Sequence, residues 1–129
     1  MTMPTVLVIE DDPVTRGLIA GILRVAQFET VAVPDAMDGV RALRERRPDL
    51  IVMDLMLPGI NGSAAAESLM ADPRFAGIPI LLLSGLPDLD AVAQGIGIDQ
   101  WMAKPFNPAD LVRTLRKLHE AAAASPTRA

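Results

Sequence analysis

Short apolar runs alternate with longer stretches of helical periodicity along the chain. This alternation is typical of repeated βα units, because strands covered on both faces are almost continuously aliphatic. Five units fit the sequence. The predicted strands are Val6–Glu10, Glu29–Val33, Leu50–Asp54, Ile78–Leu83 and Gln100–Ala103. The first, third and fourth are the most aliphatic, so we expect them to form the centre of a parallel sheet.

Helices are predicted between the strands, bounded by capping residues and prolines. Asp12 before Pro13 is typical of an N-cap followed by the first helical position. In this first helix, the apolar spacing predicts an inward face made of Val14, Leu18, Ile22 and Val25. A second helix is predicted over residues 35–46, with inward-facing Met37, Val40 and either Ala42 or Leu43.

Three further helices complete the predicted units. The third covers residues 63–70, and the last begins with Asn107 as N-cap and Pro108 at the first helical position. Between Ser84 and Gln100 there is room only for a short fourth helix, at about residues 88–94, because Pro87, Gly95 and Gly97 bound it.

Composition narrows the class of protein. The 129 residues, half of them apolar, suffice for one domain with one core. We expect that domain to cover residues 1–120, followed by a flexible tail over residues 121–129, which are rich in Ala and end in Ser-Pro-Thr-Arg-Ala. The net charge of −4 disfavours direct binding of nucleic acid.

Targeting signals and thiol chemistry are also constrained. The absence of cysteine excludes disulfides and thiolate metal sites. The N-terminal residues carry no basic leader, and every apolar run is far shorter than the ~18 residues of a membrane span. We therefore expect a soluble cytoplasmic protein with no membrane insertion.

Polar side chains follow the predicted strands at their C-terminal ends. Glu10 and Asp11 follow the first strand, Asp54 ends the third, Ser84 follows the fourth and Lys104 the fifth. Open parallel sheets bind ligands at this edge, so these groups are predicted to share one crevice. Clustered carboxylates repel unless a cation joins them, and Mg²⁺ suits a site of carboxylates without histidine or thiol. With these cations in place, Asp54 suits attack on phosphorus, which yields an aspartyl phosphate.

At these residues the chain resembles the receiver domain of two-component response regulators. The segments that carry the resemblance are Val6-Leu7-Val8-Ile9-Glu10-Asp11-Asp12-Pro13, Met53-Asp54-Leu55-Met56-Leu57-Pro58-Gly59-Ile60-Asn61-Gly62, Leu83-Ser84-Gly85 and Ala103-Lys104-Pro105-Phe106. Their order, type and spacing agree together over nearly the whole chain. The resemblance implies a flavodoxin-like, doubly wound α/β fold with five helices and five parallel strands in the order 2-1-3-4-5.

The resemblance also implies a role for each of these residues. Asp54 is the expected phosphoacceptor. Asp11 is expected to contact Mg²⁺ directly and Glu10 through water, and the backbone carbonyl of Met56 is a further expected ligand.

The remaining roles concern binding of the phosphoryl group and signalling. The resemblance implies Ser84 as the switch hydroxyl and Lys104 as the phosphate-binding lysine, with a cis bond to Pro105. Trp101 occupies the position of the switch aromatic, where Tyr or Phe is usual in the family.

The expected function is that of a response-regulator receiver. We do not expect an enzyme that turns over a separate substrate, because a receiver catalyses only its own phosphorylation and dephosphorylation. A histidine kinase or phosphotransfer protein would supply the phosphoryl group, and the chain, expected to be a single-domain regulator, would signal to a downstream protein target. Two alternatives stay open. The short fourth helix and Trp101 fit a constitutive interaction module, whereas a phosphohydrolase of the haloacid dehalogenase type wants a second Asp where Met56 stands.

Overall fold

A parallel five-stranded sheet with helices on both faces forms the structure, a computed structural model that describes residues 3–54, 62–85, 89–98 and 100–124. The strands are β1 (Thr5–Ile9), β2 (Glu29–Val33), β3 (Leu50–Asp54), β4 (Ile80–Ser84) and β5 (Trp101–Ala103). The helices are α1 (Pro13–Val25), α2 (Ala36–Glu45), α3 (Gly62–Ala71), α4 (Leu89–Ile96) and α5 (Pro108–Ala124). The strand order is β2-β1-β3-β4-β5, which confirms the predicted fold class.

The three central strands are buried on both faces. Every residue of β1, β3 and β4 is buried, as their nearly continuous aliphatic sequences predict. Because side chains alternate across a strand, Val6 and Val8 pack with α1 and α5, whereas Leu7 and Ile9 pack with the helices on the other face. The sheet is thus covered by two separate apolar layers, which leaves its C-terminal edge for polar groups.

The fourth strand begins two residues later than predicted and extends to Ser84. Ile78 is used in a turn, where its N–H donates to the carbonyl of Phe75. Pro79 has no N–H to donate to a neighbouring strand. Extension of β4 to its last residue brings the hydroxyl-bearing side chain of Ser84 to the edge of the sheet.

The inward face predicted for α1 is wrong at three of its four positions, since only Ile22 packs against the core. Val14, Leu18 and Val25 are 78%, 56% and 83% exposed, while Ile19 and Leu23 are buried against the sheet. Both sets of residues recur at helical spacing, so the periodicity alone allows either orientation. The helix is separated from the end of β1 by three residues, and its contacts with β2 and α5 select its rotation.

A glycine decides how α2 packs. The predicted inward residue Met37 is 63% exposed, whereas Gly39 and Leu43 are buried. A Cβ atom added at Gly39 would lie 2.7 Å from Cδ1 of Ile9, so the missing side chain lets the helix approach β1 closely. Hydrophobicity patterns favour Met37 over a glycine, which explains the incorrect prediction.

The bounds of the last two helices, α4 and α5, differ slightly from those predicted. The fourth helix is short, as predicted, with eight residues and with Leu89 and Ala93 buried; its predicted start at Asp88 lies outside the described residues. In α5, the Asn107 side chain accepts a hydrogen bond from the Ala109 N–H at 2.8 Å, as expected of an N-cap. This helix runs to Ala124, so the first four residues of the predicted tail are helical.

Among the described helices, none has the length and hydropathy that a membrane span requires.

The end of α1 offers a test of backbone strain. Gln27 has a φ of 72°, and its N–H donates to the carbonyl of Arg24 while the Phe28 N–H donates to that of Leu23. These two bonds form a Schellman motif, in which the left-handed position favours glycine. Gln27→Gly is therefore expected to stabilise the fold by about 1 kcal/mol, measured as a higher midpoint of urea unfolding.

The same substitution inside a helix is the matched control. Gln94 is exposed and lies within α4, where glycine costs about 1 kcal/mol because it gains more freedom in the unfolded chain. Gln94→Gly should lower the unfolding midpoint. Shifts of the same sign for both variants would contradict this account of Gln27.

Candidate functional site

Polar side chains gather where the strand order reverses. From β1 the chain passes to β2 on one side and, after α2, to β3 on the other, which makes the C-terminal ends of β1 and β3 a topological switch point. Glu10 and Asp11 follow β1 directly, and Asp54 is the last residue of β3. Since Ile9 is paired with Met53, the parallel register brings Glu10 beside Asp54.

Three carboxylates meet at this point. Oxygen atoms of Glu10, Asp11 and Asp54 all lie within 4.8 Å of one another. Glu10 and Asp54 are 1% and 5% exposed, whereas Asp11 is exposed to solvent. The sequence prediction of an acidic cluster at the sheet edge is therefore met by a site with two buried acids and one that solvent can reach.

A lysine that follows the edge strand β5 brings a positive charge to the cluster. Lys104 follows β5, and its backbone N–H donates to the carbonyl of Ser84 at 2.9 Å, which ties the loop to the end of β4. Its Nζ atom donates to Oδ2 of Asp54 at 2.9 Å and also to Oε1 of Glu10. The bond from Lys104 to Pro105 is cis, as expected. One ammonium group thus bridges the carboxylate of Glu10, which follows β1, and that of Asp54, which ends β3.

Burial and mutual repulsion dominate the electrostatics. Burial raises the pKa of Glu10 to about 7, with a further increase from Asp54 and a partial decrease from Lys104. Burial alone lowers the pKa of Lys104, but its hydrogen bonds to Glu10 and Asp54 exceed that effect and the pKa is raised overall. One ammonium therefore does not fully compensate the carboxylates around it.

The donor set fits a hard divalent cation. Oε2 of Glu10 is buried without a hydrogen-bond partner among the described residues, and a buried carboxylate oxygen without a partner is unfavourable. Mg²⁺ is bound in proteins by one or two carboxylates together with water and phosphate oxygens. An exposed Asp11 beside two buried acids leaves room for such additional ligands. The predicted carbonyl ligand from Met56 lies outside the described residues.

The other predicted residues flank this cluster. Ser84 is fully buried at the end of β4, next to Ala103 in the ladder with β5. Trp101 begins β5, where it pairs with Leu82 and is 36% exposed. Asp12 does not belong to the cluster: its carboxylate accepts a hydrogen bond from the Thr15 N–H at 2.9 Å, as an N-cap does.

Sequence patterns did not identify one residue at this edge, Arg16. Its Nη1 atom donates to the backbone carbonyls of Glu10 at 3.0 Å and Asp11 at 3.3 Å. The only signal in the sequence was an arginine in the first turns of a predicted helix that follows three acidic residues. Because that signal describes many solvated arginines equally well, only the folded geometry distinguishes this one.

Comparison with known protein families gives a match over most of the chain. A family model described as the response regulator receiver domain matches residues 6–116. The DNA-binding response regulator MtrA of Mycolicibacterium smegmatis is 39% identical over 113 residues, which cover 86% of this chain and 48% of that protein. The phosphate regulon transcriptional regulatory protein PhoB of Pseudomonas aeruginosa is 34% identical over 118 residues, covering 90% of this chain and 52% of that protein.

The chain spans about half the length of these curated relatives. The name of MtrA includes DNA binding, which limits the expectation that nucleic acid is not a partner. The expectation was made for these 129 residues only, whereas MtrA is a protein about twice as long.

Solved structures agree with this family match. A putative response regulator from Chloroflexus aurantiacus superposes with a TM-score of 0.86 at 26% identity, covering 92% of this chain and 99% of that one. The receiver domain of a sensor histidine kinase from Pseudomonas aeruginosa superposes with a TM-score of 0.83 at 29% identity, with the same coverage of both chains. That structure contains a magnesium ion coordinated in its active-site cleft.

Proposed function

The chain belongs to the receiver-domain family of response regulators, and on that premise we propose that Asp54 accepts a phosphoryl group from a histidine kinase or a phosphotransfer protein. The observation that carries this proposal is the convergence of Lys104 with Glu10 and Asp54 at the sheet edge. Burying two acids around one ammonium is unfavourable for a purely structural site. Such an arrangement suits a carboxylate that must receive an anionic group.

The chemical step is a displacement at phosphorus. A carboxylate oxygen of Asp54 forms a bond to phosphorus while the bond from phosphorus to the donor breaks. When the donor is a phosphohistidine, the electron pair of the broken bond stays on the imidazole nitrogen. The product is an aspartyl phosphate on Asp54. Its hydrolysis consumes water, releases inorganic phosphate and returns the carboxylate, so the chain catalyses its own modification rather than turnover of a separate substrate.

We assign Glu10, Asp11 and Asp54 as the residues that would hold Mg²⁺, with the carbonyl of Met56 as a further proposed ligand. When bound, the ion would neutralise charge on the phosphoryl oxygens and on the carboxylates. The buried, unpaired Oε2 of Glu10 supports this assignment because it is an oxygen ligand with no other described partner.

Two side chains are proposed to bind the phosphoryl group, and a third is proposed to pass the signal to a partner. The Lys104 ammonium, already bonded to Asp54, would pair with a phosphoryl oxygen, and the Ser84 hydroxyl would donate to another. The pairing of β4 with β5 connects Ser84 to the strand that begins with Trp101. Trp101 is accordingly the proposed switch aromatic, and its partly exposed position allows a downstream protein to contact it.

We propose that the protein that donates the phosphoryl group docks on an apolar surface of this chain beside the crevice. The exposed side chains of Val14 and Leu18 lie on the first turns of α1, close to Asp11 in sequence. Farther along, α1 and α5 enclose an open groove of about 1060 Å³. The exposed apolar side chains on α1 suit contact with a protein donor, and we propose no direct nucleic-acid contact for these residues.

The alternative of a constitutive interaction module shares the fold but needs no metal or phosphoryl chemistry. The deciding experiment is incubation with acetyl phosphate and Mg²⁺, followed by intact-mass measurement, with a parallel sample in EDTA. We expect the mass to increase by one phosphoryl group in Mg²⁺ and to stay unchanged in EDTA. No increase in either sample would refute the proposed function and favour the constitutive module.

A further inference from the structure

The loop between β1 and α1 carries Asp11, a proposed metal ligand, outside regular secondary structure. The strand ends at Ile9 and the helix begins at Pro13, so Glu10, Asp11 and Asp12 belong to neither. Of these three, Glu10 is held by burial and by a bond from its N–H to the carbonyl of Val33 at 3.0 Å. The exposed carboxylate of Asp11 lacks such packing, so its position depends on the backbone that carries it.

Arg16 fixes that backbone. Its side chain is partly buried, and Nη1 donates to two consecutive carbonyls, those of Glu10 and Asp11. Its own N–H donates to the carbonyl of Asp12 at 2.8 Å in the first turn of α1. The arginine therefore connects the rigid start of the helix to the two residues that precede it. A guanidinium group is suited to this task because it is planar and keeps its charge.

We infer that Arg16 is a positioning residue for Mg²⁺ binding, acting through the backbone of Glu10 and Asp11 without touching the ion. This inference rests on the metal site proposed above. Residues that orient metal ligands typically change metal affinity by about 10- to 100-fold when replaced. Because Arg16 is positively charged, its charge alone would weaken the binding of a cation. The positioning effect and the charge effect therefore have opposite signs.

The experiment is titration of the purified chain with MgCl₂, followed by amide resonances in ¹H–¹⁵N spectra. Arg16→Met is expected to raise the Kd for Mg²⁺ by about tenfold or more, because the carboxylate of Asp11 is no longer held in place. Arg24→Met is the matched control, since it removes the same charge from an exposed site at the other end of α1. That variant should retain the Kd of the wild type.

The sign of the change decides the outcome. An unchanged or lower Kd for Arg16→Met would overturn the inference, because a charge effect or a purely structural role gives those results. Urea unfolding in EDTA measures the structural contribution separately. If Arg16→Met does not fold, Arg16→Lys provides the test: it keeps the charge but not the guanidinium geometry, and a Kd equal to that of the wild type would refute positioning.

The same titration separates this inference from the proposed function. Wild-type resonances that do not respond to MgCl₂ would refute the proposed metal site, and the role of Arg16 with it. Saturable binding by the wild type, combined with equal Kd values for the Arg16 and Arg24 variants, would leave the metal site intact and refute the role of Arg16 alone.

Discussion

Asp54→Asn is expected to abolish the increase in mass that the wild type shows with acetyl phosphate and Mg²⁺. An amide keeps the size of the side chain but is a far weaker nucleophile than a carboxylate, and the replacement also removes one of the three proposed acidic ligands. The position is 5% exposed, so the replacement does not alter the surface offered to donors. Intact-mass measurement over a time course gives the result directly.

The control is the same replacement at a neighbouring acid. Asp12→Asn keeps an N-cap, because asparagine caps helices about as well as aspartate, and Asp12 lies outside the three-carboxylate cluster. We expect this variant to take up the phosphoryl group. Urea unfolding should show that both variants fold. A folded Asp54→Asn protein that gains the same mass as the wild type would show that another residue is the acceptor.

Lys104→Met is expected to slow phosphorylation by about 100- to 1000-fold, as loss of one charged donor to a developing anion does in other active sites. Methionine keeps much of the length of the side chain but removes the ammonium that bridges Glu10 and Asp54. In EDTA the variant should also unfold at a lower urea concentration, because two buried carboxylates lose their shared cation. The rate is measured from the time course of intact mass at fixed acetyl phosphate and Mg²⁺.

The chain supplies a matched control for this variant. Lys117 is exposed on α5 and has no ion pair among the described residues, so Lys117→Met removes the same charge from a solvated position. Its phosphorylation rate and unfolding midpoint should equal those of the wild type. Equal rates for the two lysine variants would remove Lys104 from the proposed chemistry.

Much of the architecture followed from the sequence because buried strands require aliphatic residues. The predicted β2 and β3 coincide with the observed strands, and the N-caps at Asp12 and Asn107 are confirmed by their hydrogen bonds. Helix orientation was harder to predict. In α1 the spacing of Val14 and Leu18 is as regular as that of Ile19 and Leu23, and only contacts with the rest of the fold distinguish the two faces.

Most residues of the candidate site could also be predicted from the sequence, since polar groups at the C-terminal ends of parallel strands converge on one edge of the sheet. Residue type and position in the chain sufficed to single out Glu10, Asp54 and Lys104. Their interactions could not be read in the same way: Lys104 is 94 positions from Glu10 and 50 from Asp54, and the bonds between them depend on the order of the strands. The roles of Asp54 and Lys104 in phosphoryl transfer stay proposals, which Asp54→Asn and Lys104→Met test.

By itself, the sequence determined which elements form and which functional groups stand at their ends, because hydrophobic period, proline and capping residues act over a few positions. Tertiary structure decided which face of α1 packs inward, how deeply Glu10 is buried and which carbonyls Arg16 contacts. These properties depend on distances between segments far apart in the chain. Local patterns constrain a helix to a spacing, whereas only packing against the sheet fixes its rotation, and that rotation directs Arg16 to the backbone of the acidic residues.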